Sequence, residues 1–392
     1  MVAEQRAAPS VWPAAVAGLA ATLIGNGLGR FAYTPLIPAL IAAGWFAPAE
    51  AVYLAAANLA GYLVGAMGAR RLAMATSGTF GARAAMLATV ASLVACAFPL
   101  GFAWYAVWRF VAGVTGGVLM VLAVPMVLGA TPAHQRGRVA GVVITGVGLG
   151  VAASGTIVPA VAAQGLTVVW LALAATAALL TAYAWFLLPA DSPAMATTTR
   201  GARVDLGIAL LLAAYACDAF GFIPHTVFWV DYIARGLGQG LETGGVQWIL
   251  VGLGAAAGPF LVGVLADRIG FGASYILAMA GKAAFVALPL ISTSTPMLVI
   301  SSLGVGALIA GTTTLCSGWV AVRVGLGHHR QVWGWMTSAF GIAQAGGAWT
   351  MSHIFAQTGT YPLLFMLGSG ALALGAALAL ASARQSQSRN QR

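Results

Sequence analysis

The sequence predicts an all-α integral membrane protein of twelve transmembrane helices in two six-helix halves. Three observations predict it. Hydrophobic residues make up 60% of the 392 positions against 7% charged, with mean hydropathy +0.92 and 51 glycines, a composition far from that of a soluble domain. The apolar residues fall into twelve runs, each near the ~20 residues that a bilayer core requires. One long polar interruption, Ala190 to Asp205, with Pro193, Thr197-Thr198-Thr199, Arg200 and Arg203, lies near the middle of the chain. It is expected to link a half at 1–189 to a half at 206–392, leaving 190–205 as a cytoplasmic linker.

Along the chain, the runs centre on Gly27, Gly61, Val90, Gly116, Gly150 and Ala177, then on Phe220, Gly254, Val286, Gly306, Ala343 and Ala371. Arg6 before an apolar run imitates a signal peptide, but Trp12 to Ala43 is too long, contains Arg30 and leads into further spans. It reads as an uncleaved first helix. Alternate connections carry Arg6, then Arg70, Arg71 and Arg83, then Arg136 and Arg138, then Arg200 and Arg203, then Arg268, then Arg323 and Arg330, then Arg384, Arg389 and Arg392. The opposite set holds Arg235 alone. By the positive-inside rule both termini are cytoplasmic. Trp12, Trp45, Trp104 and Trp170 sit at span edges as interfacial anchors, whereas Trp248, Trp335 and Trp349 lie deeper and are expected to pack.

Several function classes fall away. The formal net charge of +10 is spread over short loops rather than gathered on one face, so it orients the chain and does not bind nucleic acid. Cys96, Cys217 and Cys316 are too few and scattered for disulfides or a metal site. Glycine runs such as Gly146-Val147-Gly148-Leu149-Gly150 and Gly346-Gly347 lack a preceding strand and a nearby acid, so close helix packing explains them better than phosphate binding. No metal-ligand cluster and no polar nucleophile beside a base is found, so neither an enzyme nor a cofactor is expected.

The stretch Gly263-Val264-Leu265-Ala266-Asp267-Arg268-Ile269-Gly270 joins two apolar runs through a charged turn. An acid there can bond free N–H groups at the next helix start, with Arg holding it, as a latch. The turn resembles the signature loop of the major facilitator superfamily, Gly-x-x-x-Asp-Arg/Lys-x-Gly. That family is built as two parallel repeats, and a degenerate first copy is read at Gly65, Arg70 and Arg71, offset by 198, with Ala69 in place of the acid. Two further echoes are read. Arg138-Val139-Ala140-Gly141 with Gly148 parallels Gln331-Val332-Trp333-Gly334 with Gly341 at an offset of 193, and Ala82 to Met86 parallels Gly281 to Phe285 at 199. The opening helix, Gly27-Leu28-Gly29-Arg30-Phe31-Ala32-Tyr33-Thr34-Pro35-Leu36-Ile37-Pro38, is similar to the first-helix signature of the superfamily's YbfB/YjiJ-type branch. The resemblance implies a secondary transporter working by alternating access, with its site near the midplane between the halves.

A charge in a span costs ~2.5–3.5 kcal/mol on insertion scales, so Arg30, Arg109, Asp218 and Lys282 each need a reason. Arg30 shares a helical face with Asn26 and Tyr33 and reads as a cavity cation for an anionic substrate, the alternative being a structural arginine. In the seventh helix, placed opposite the first at an offset of 192, Asp218, Gly221, Phe222, His225 and Trp229 share a face. Asp218 or His225 could carry a coupling proton; otherwise Asp218 neutralises Arg30 or Arg109. Arg109 with Gly113 is similar to the superfamily's fourth-helix pattern, which implies a part in proton coupling. Lys282, matched to Arg83, reads as a snorkelling anchor. Asp231 is expected to meet headgroups or Arg235, and His328, His329 and His353 to lie at the surface.

Three spanning cations against one central acid make the cavity net positive. The expected function is therefore proton-coupled transport of a small organic anion, such as a carboxylate, by a monomer in the bacterial cytoplasmic membrane. The alternatives are a proton-driven exporter of apolar or cationic compounds and, from another class, a membrane sensor that does not transport.

Overall fold

The computed structural model describes residues 11–190 and 204–390. Most of the expected linker, like Arg6, Arg200, Arg203 and Arg392, lies outside them. In the first half α1 spans Trp12–Ala42, α2 Pro48–Ala75, α3 Gly78–Ala95, α4 Phe102–Gly129, α5 Arg136–Ala162 and α6 Leu166–Leu187. In the second, α7 spans Leu206–Gly236, α8 Gly240–Ile269, α9 Phe271–Ile291 and α10 Thr295–Gly325. A break at Gly325, φ 73°, separates α10 from α11 at 326–358, and α12 spans Pro362–Asn390. Eleven of these twelve helices are long and apolar enough to cross a membrane; α11 is as long but carries more polar residues.

In a bilayer every backbone N–H and C=O must be bonded within the protein, so continuous helices are the economical solution. The starts are built locally. Ser77 Oγ accepts from Phe80 N at 3.0 Å to cap α3, and Asp205 Oδ1 accepts from Ile208 N at 2.8 Å to cap α7. Gly270, φ 80°, turns the chain between α8 and α9 as an L side chain rarely can.

Close packing fixes the internal repeat. In the first half Gly61 and Gly65 of α2 press on the carbonyls of Phe110 and Val114 in α4, and Gly113 presses back on Asn58. In the second half Gly254 and Gly258 press on Leu303 and Ala307, and Gly306 on Val251. Every residue of the second set lies 193 positions after its counterpart. A side chain at these glycines would hold the backbones apart. This register corrects two sequence alignments. The counterpart of Gly65 in the second half is Gly258 rather than Gly263, so Met74, not Ala69, stands where Asp267 does. Lys282 corresponds to Thr89 in mid-span, not to Arg83 near an exit. The echo of Gly148 with Gly341 is in register: Gly148 meets Ala256 and Gly341 meets Leu63 across the halves, and Ala256 is 193 after Leu63.

With twelve helices the two ends of the described chain, Val11 and Asn390, lie on one face, here the terminal face. The halves touch at the far face and part toward the terminal one. Along α5, Gly155 and Gly148 share a stripe at seven-residue spacing and pack on Gly245 and Gly252 of α8, where a methyl carbon would lie 2.8 and 2.6 Å from a carbonyl oxygen. Trp248 Nε1 donates to Ser154 Oγ at 3.1 Å within this seam. The next residue of the α5 stripe, Gly141, has nothing within 4 Å, and neither has Gly263, seven residues beyond Ala256. The seam between α2 and α11 behaves alike. It is held at the far end by Tyr53 Oη with His353 Nδ1, 3.1 Å, and by Ser352 Oγ to Val52 O, 3.2 Å, but Gly334 at its terminal end faces open space.

Candidate functional site

A cavity of about 20 Å³, enough for about one water, lies between the halves at mid-depth. Its walls are Arg30, Phe31, Tyr33 and Thr34 of α1, Ala55, Asn58 and Leu59 of α2, Arg109 of α4, and Thr226 and Val227 of α7. Thr34 and Thr226, 192 residues apart, touch here: Thr34 Oγ1 donates to Thr226 O at 2.5 Å. Equivalent residues of two repeats meet only near the pseudo-two-fold axis, so the cavity sits on it.

Local helix geometry decides which side chains reach it. Residues Leu23–Phe31 of α1 form a π-helical stretch, closed by Ala32 N to Gly27 O at 2.9 Å. A π turn is wider than an α turn and rotates the faces on either side of it. Arg30 and Tyr33 line the cavity, but Asn26 does not: it is buried, and its Nδ2 has no hydrogen-bond partner. The shared face expected from α-helical spacing is therefore broken.

Arg109 is 1% exposed. Its guanidinium lies 4.5 Å from the Tyr33 ring centre, and one Nη2 bond reaches Arg30 O at 3.4 Å. Nε and Nη1 have no hydrogen-bond partner. Arg30 is half-buried, its guanidinium 4.6 Å from the Phe31 ring and 4.9 Å from the Tyr62 ring. Among the described residues the two ion pairs are Asp231–Arg235 and Asp218–Lys282, so neither cavity arginine is neutralised by an acid. Asn58, which the sequence reading missed, ties α1 to α4 beside them: its Nδ2 donates to Arg109 O at 2.9 Å and to Gly29 O, one residue before Arg30, at 3.3 Å. A lone amide in an apolar run was the available signal.

The seventh helix differs from its expected single wall. The α-helix ends near Gly221, and π turns occupy Pro224–Phe228 and Tyr232–Gly236. The predicted face is thereby split in two. Asp218 points to α9 and α10, where Lys282 Nζ lies 2.7 Å from Oδ1 with both side chains fully buried, and Lys282 also donates to Leu308 O at 3.0 Å and Thr312 Oγ1 at 3.3 Å. Phe222 lies under the Lys282 ammonium, 4.4 Å from ring centre to Nζ. His225 and Trp229 stack at 4.2 Å and turn to α10, with His225 Nε2 2.7 Å from Ser301 Oγ and Trp229 Nε1 donating to Ser302 Oγ at 2.9 Å. Thr226 and Val227 face the cavity instead.

Lys282 is thus no snorkelling anchor: it is the counter-ion of Asp218, the place expected for Arg30 or Arg109. At the far end Asp231 takes a bidentate bond from Arg235, at 2.5 and 2.7 Å, and a third from Tyr361 Oη at 2.7 Å. The Gly263–Gly270 turn lies at the parted terminal face. Asp267 and Arg268 are exposed there and make none of the bonds expected of a closed latch. Arg70 and Arg71 are exposed as well.

The fold is that of known transporters. A crystal structure of a D-xylose–proton symporter matches with TM-score 0.74 at 15% identity, covering 93% of this chain and 96% of that one. The inward-open xylose transporter XylE from E. coli matches with TM-score 0.74 at 14% identity over 95% and 96%. Its partially occluded inward-open form matches with TM-score 0.72 at 15% over 94% and 96%. At these identities the likeness is one of fold. Among curated proteins none matches the sequence. A family model described as the uncharacterised MFS-type transporter YbfB matches residues 22–380, and the chain belongs to that family of major facilitator transporters.

Proposed function

We propose that this transporter moves a small organic anion, of carboxylate chemistry, across the bacterial cytoplasmic membrane as a monomer by alternating access. The observation that carries the reading is the pair Arg30 and Arg109, two guanidinium groups at one central cavity with no acid beside them. A buried, unpaired charge is costly, and it persists where a partner arrives with the ligand. Tyr33, Thr34 and Asn58 offer hydrogen bonds that orient such a ligand, and the neutral Asp218–Lys282 pair leaves the positive field undiminished.

Arginine-rich connections support a cytoplasmic terminal face, and on that orientation this is an inward-facing state. Transport then requires the far-face seams at Gly155–Gly245 and Tyr53–His353 to part while Gly141, Gly263 and Gly334 close up. The Gly263, Asp267, Arg268 and Gly270 turn and the Gly65, Arg70 and Arg71 stretch gate that closure. Proton coupling, as in the similar D-xylose–proton symporter, falls to Asp218, whose Oδ2 lacks a partner, or to His225, whose Nδ1 lacks one, with Arg109 sensing the ligand.

The test is thermal stabilisation of the purified protein by small carboxylates, amines and neutral compounds. A ligand at a hundred times its Kd raises stability by about 2.7 kcal/mol. Stabilisation by a carboxylate that Arg30→Ala abolishes is the expected result. Stabilisation confined to amines or neutral compounds would overturn the reading in favour of an exporter of such compounds.

A further inference from the structure

The two sides of the central space differ in chemistry. Arg30 and Phe222 hold equivalent places in the repeat, each four residues before the threonine that touches the axis, Thr34 or Thr226. Phe222 itself is buried under Lys282, so the ring that the second half offers is that of Phe340, packed against it. The first-half side is cationic. The Arg30 guanidinium lies 4.6 Å from the Phe31 ring centre and 4.9 Å from that of Tyr62, and its N–H groups can donate to a ligand.

The second-half side is aromatic. Phe340 of α11 lies 5.9 Å from Phe222 at an interplanar angle of 34°, and 4.6 Å from Tyr215 at 37°. Tyr215 and Phe222 are buried and back the Phe340 ring. Phe340 is half-exposed, next to Gly341, and Gly341 touches Leu63, the neighbour of Tyr62. The arginine side and the aromatic side thus flank the point at which the halves begin to part. Lys282, the buried cation of the second half among the described residues, is held by Asp218 against Phe222.

We infer that the substrate is an aryl monocarboxylate, its carboxylate on the Arg30 and Arg109 guanidinium groups and its ring on Phe340. An aliphatic dicarboxylate would press its second charge against rings that cannot solvate it. A ring gains offset or edge-to-face contacts there instead. This inference rests on the anion reading above and adds the nature of the uncharged part.

Benzoate, cyclohexanecarboxylate, acetate, succinate and benzylamine, each titrated against the purified full chain with binding read by calorimetry, test it. Benzoate is expected to bind roughly three- to tenfold tighter than cyclohexanecarboxylate, the difference an aromatic contact makes. Phe340→Leu should remove that preference while leaving acetate affinity as it was. Cyclohexanecarboxylate or succinate binding as tightly as benzoate would overturn the aryl inference and leave the anion reading standing. Benzylamine binding as tightly as benzoate, or no carboxylate binding at all, would overturn both. The wild-type ligand series decides the matter even if the variant does not fold.

Discussion

The two halves share a helical frame and bury their charges in opposite ways. In the first half Arg30 and Arg109 stand at the cavity with aromatic faces and backbone carbonyls around them and no acid. In the second, Asp218 and Lys282 close on each other at 2.7 Å, away from the cavity, and the position equivalent to Arg30 is Phe222. Packing symmetry is strict where glycines cross, yet the chemistry is asymmetric where a ligand would sit. The duplicated frame supplies the rocking geometry, and divergence of a few side chains supplies a cationic wall on one side only.

The largest expected effect separates the neutral pair from the unpaired arginines. Lys282→Met strands a buried carboxylate and should cost ~3–5 kcal/mol in unfolding, while adding Asp218→Asn to it recovers most of the loss. If single and double variants unfold alike, the pair does not act as a unit. Arg30→Gln should do the reverse. It removes an uncompensated charge, so the protein melts no lower, but carboxylate affinity falls by about tenfold to a hundredfold, the loss of a charged hydrogen bond.

A smaller effect tests the repeat register. Gly65→Ala and Gly258→Ala should each destabilise by ~1–3 kcal/mol through overpacking at the α2–α4 and α8–α10 crossings. Gly263→Ala, in open space, should stay within ~0.5 kcal/mol. Equal effects at Gly258 and Gly263 would return the alignment to the motif-based one. The smallest concerns the axis: Thr34→Val removes one inter-half hydrogen bond, worth about 1 kcal/mol in thermal unfolding.

Much of the fold was legible because its signals are physical and long-range. Twelve apolar runs and arginines confined to alternate connections allow few other arrangements, and the offset of 192 between the first and seventh helices reappears in the Thr34–Thr226 contact. The register within helices was not legible in the same way. In a chain this rich in Gly and Ala, a motif can be slid by five or six residues at little cost in similarity, and only backbone contact at Gly65 and Gly258 settles the offset at 193. The site was half legible. Arg30, Tyr33 and Arg109 follow from the price of charge and from resemblance, whereas the turning away of Asn26, His225 and Trp229 depends on π turns that α-helical spacing cannot foresee. Lys282 was misread because its partner lies in a different helix, 64 positions away.

The most direct measurement is uptake of labelled benzoate, acetate and succinate into proteoliposomes holding either the wild-type protein or Arg30→Gln. The account predicts saturable uptake of at least one carboxylate by the wild type, and none above background by a variant that still folds. Equal uptake by both would contradict it, since the charge held at the centre of the molecule would then have no part in moving the anion.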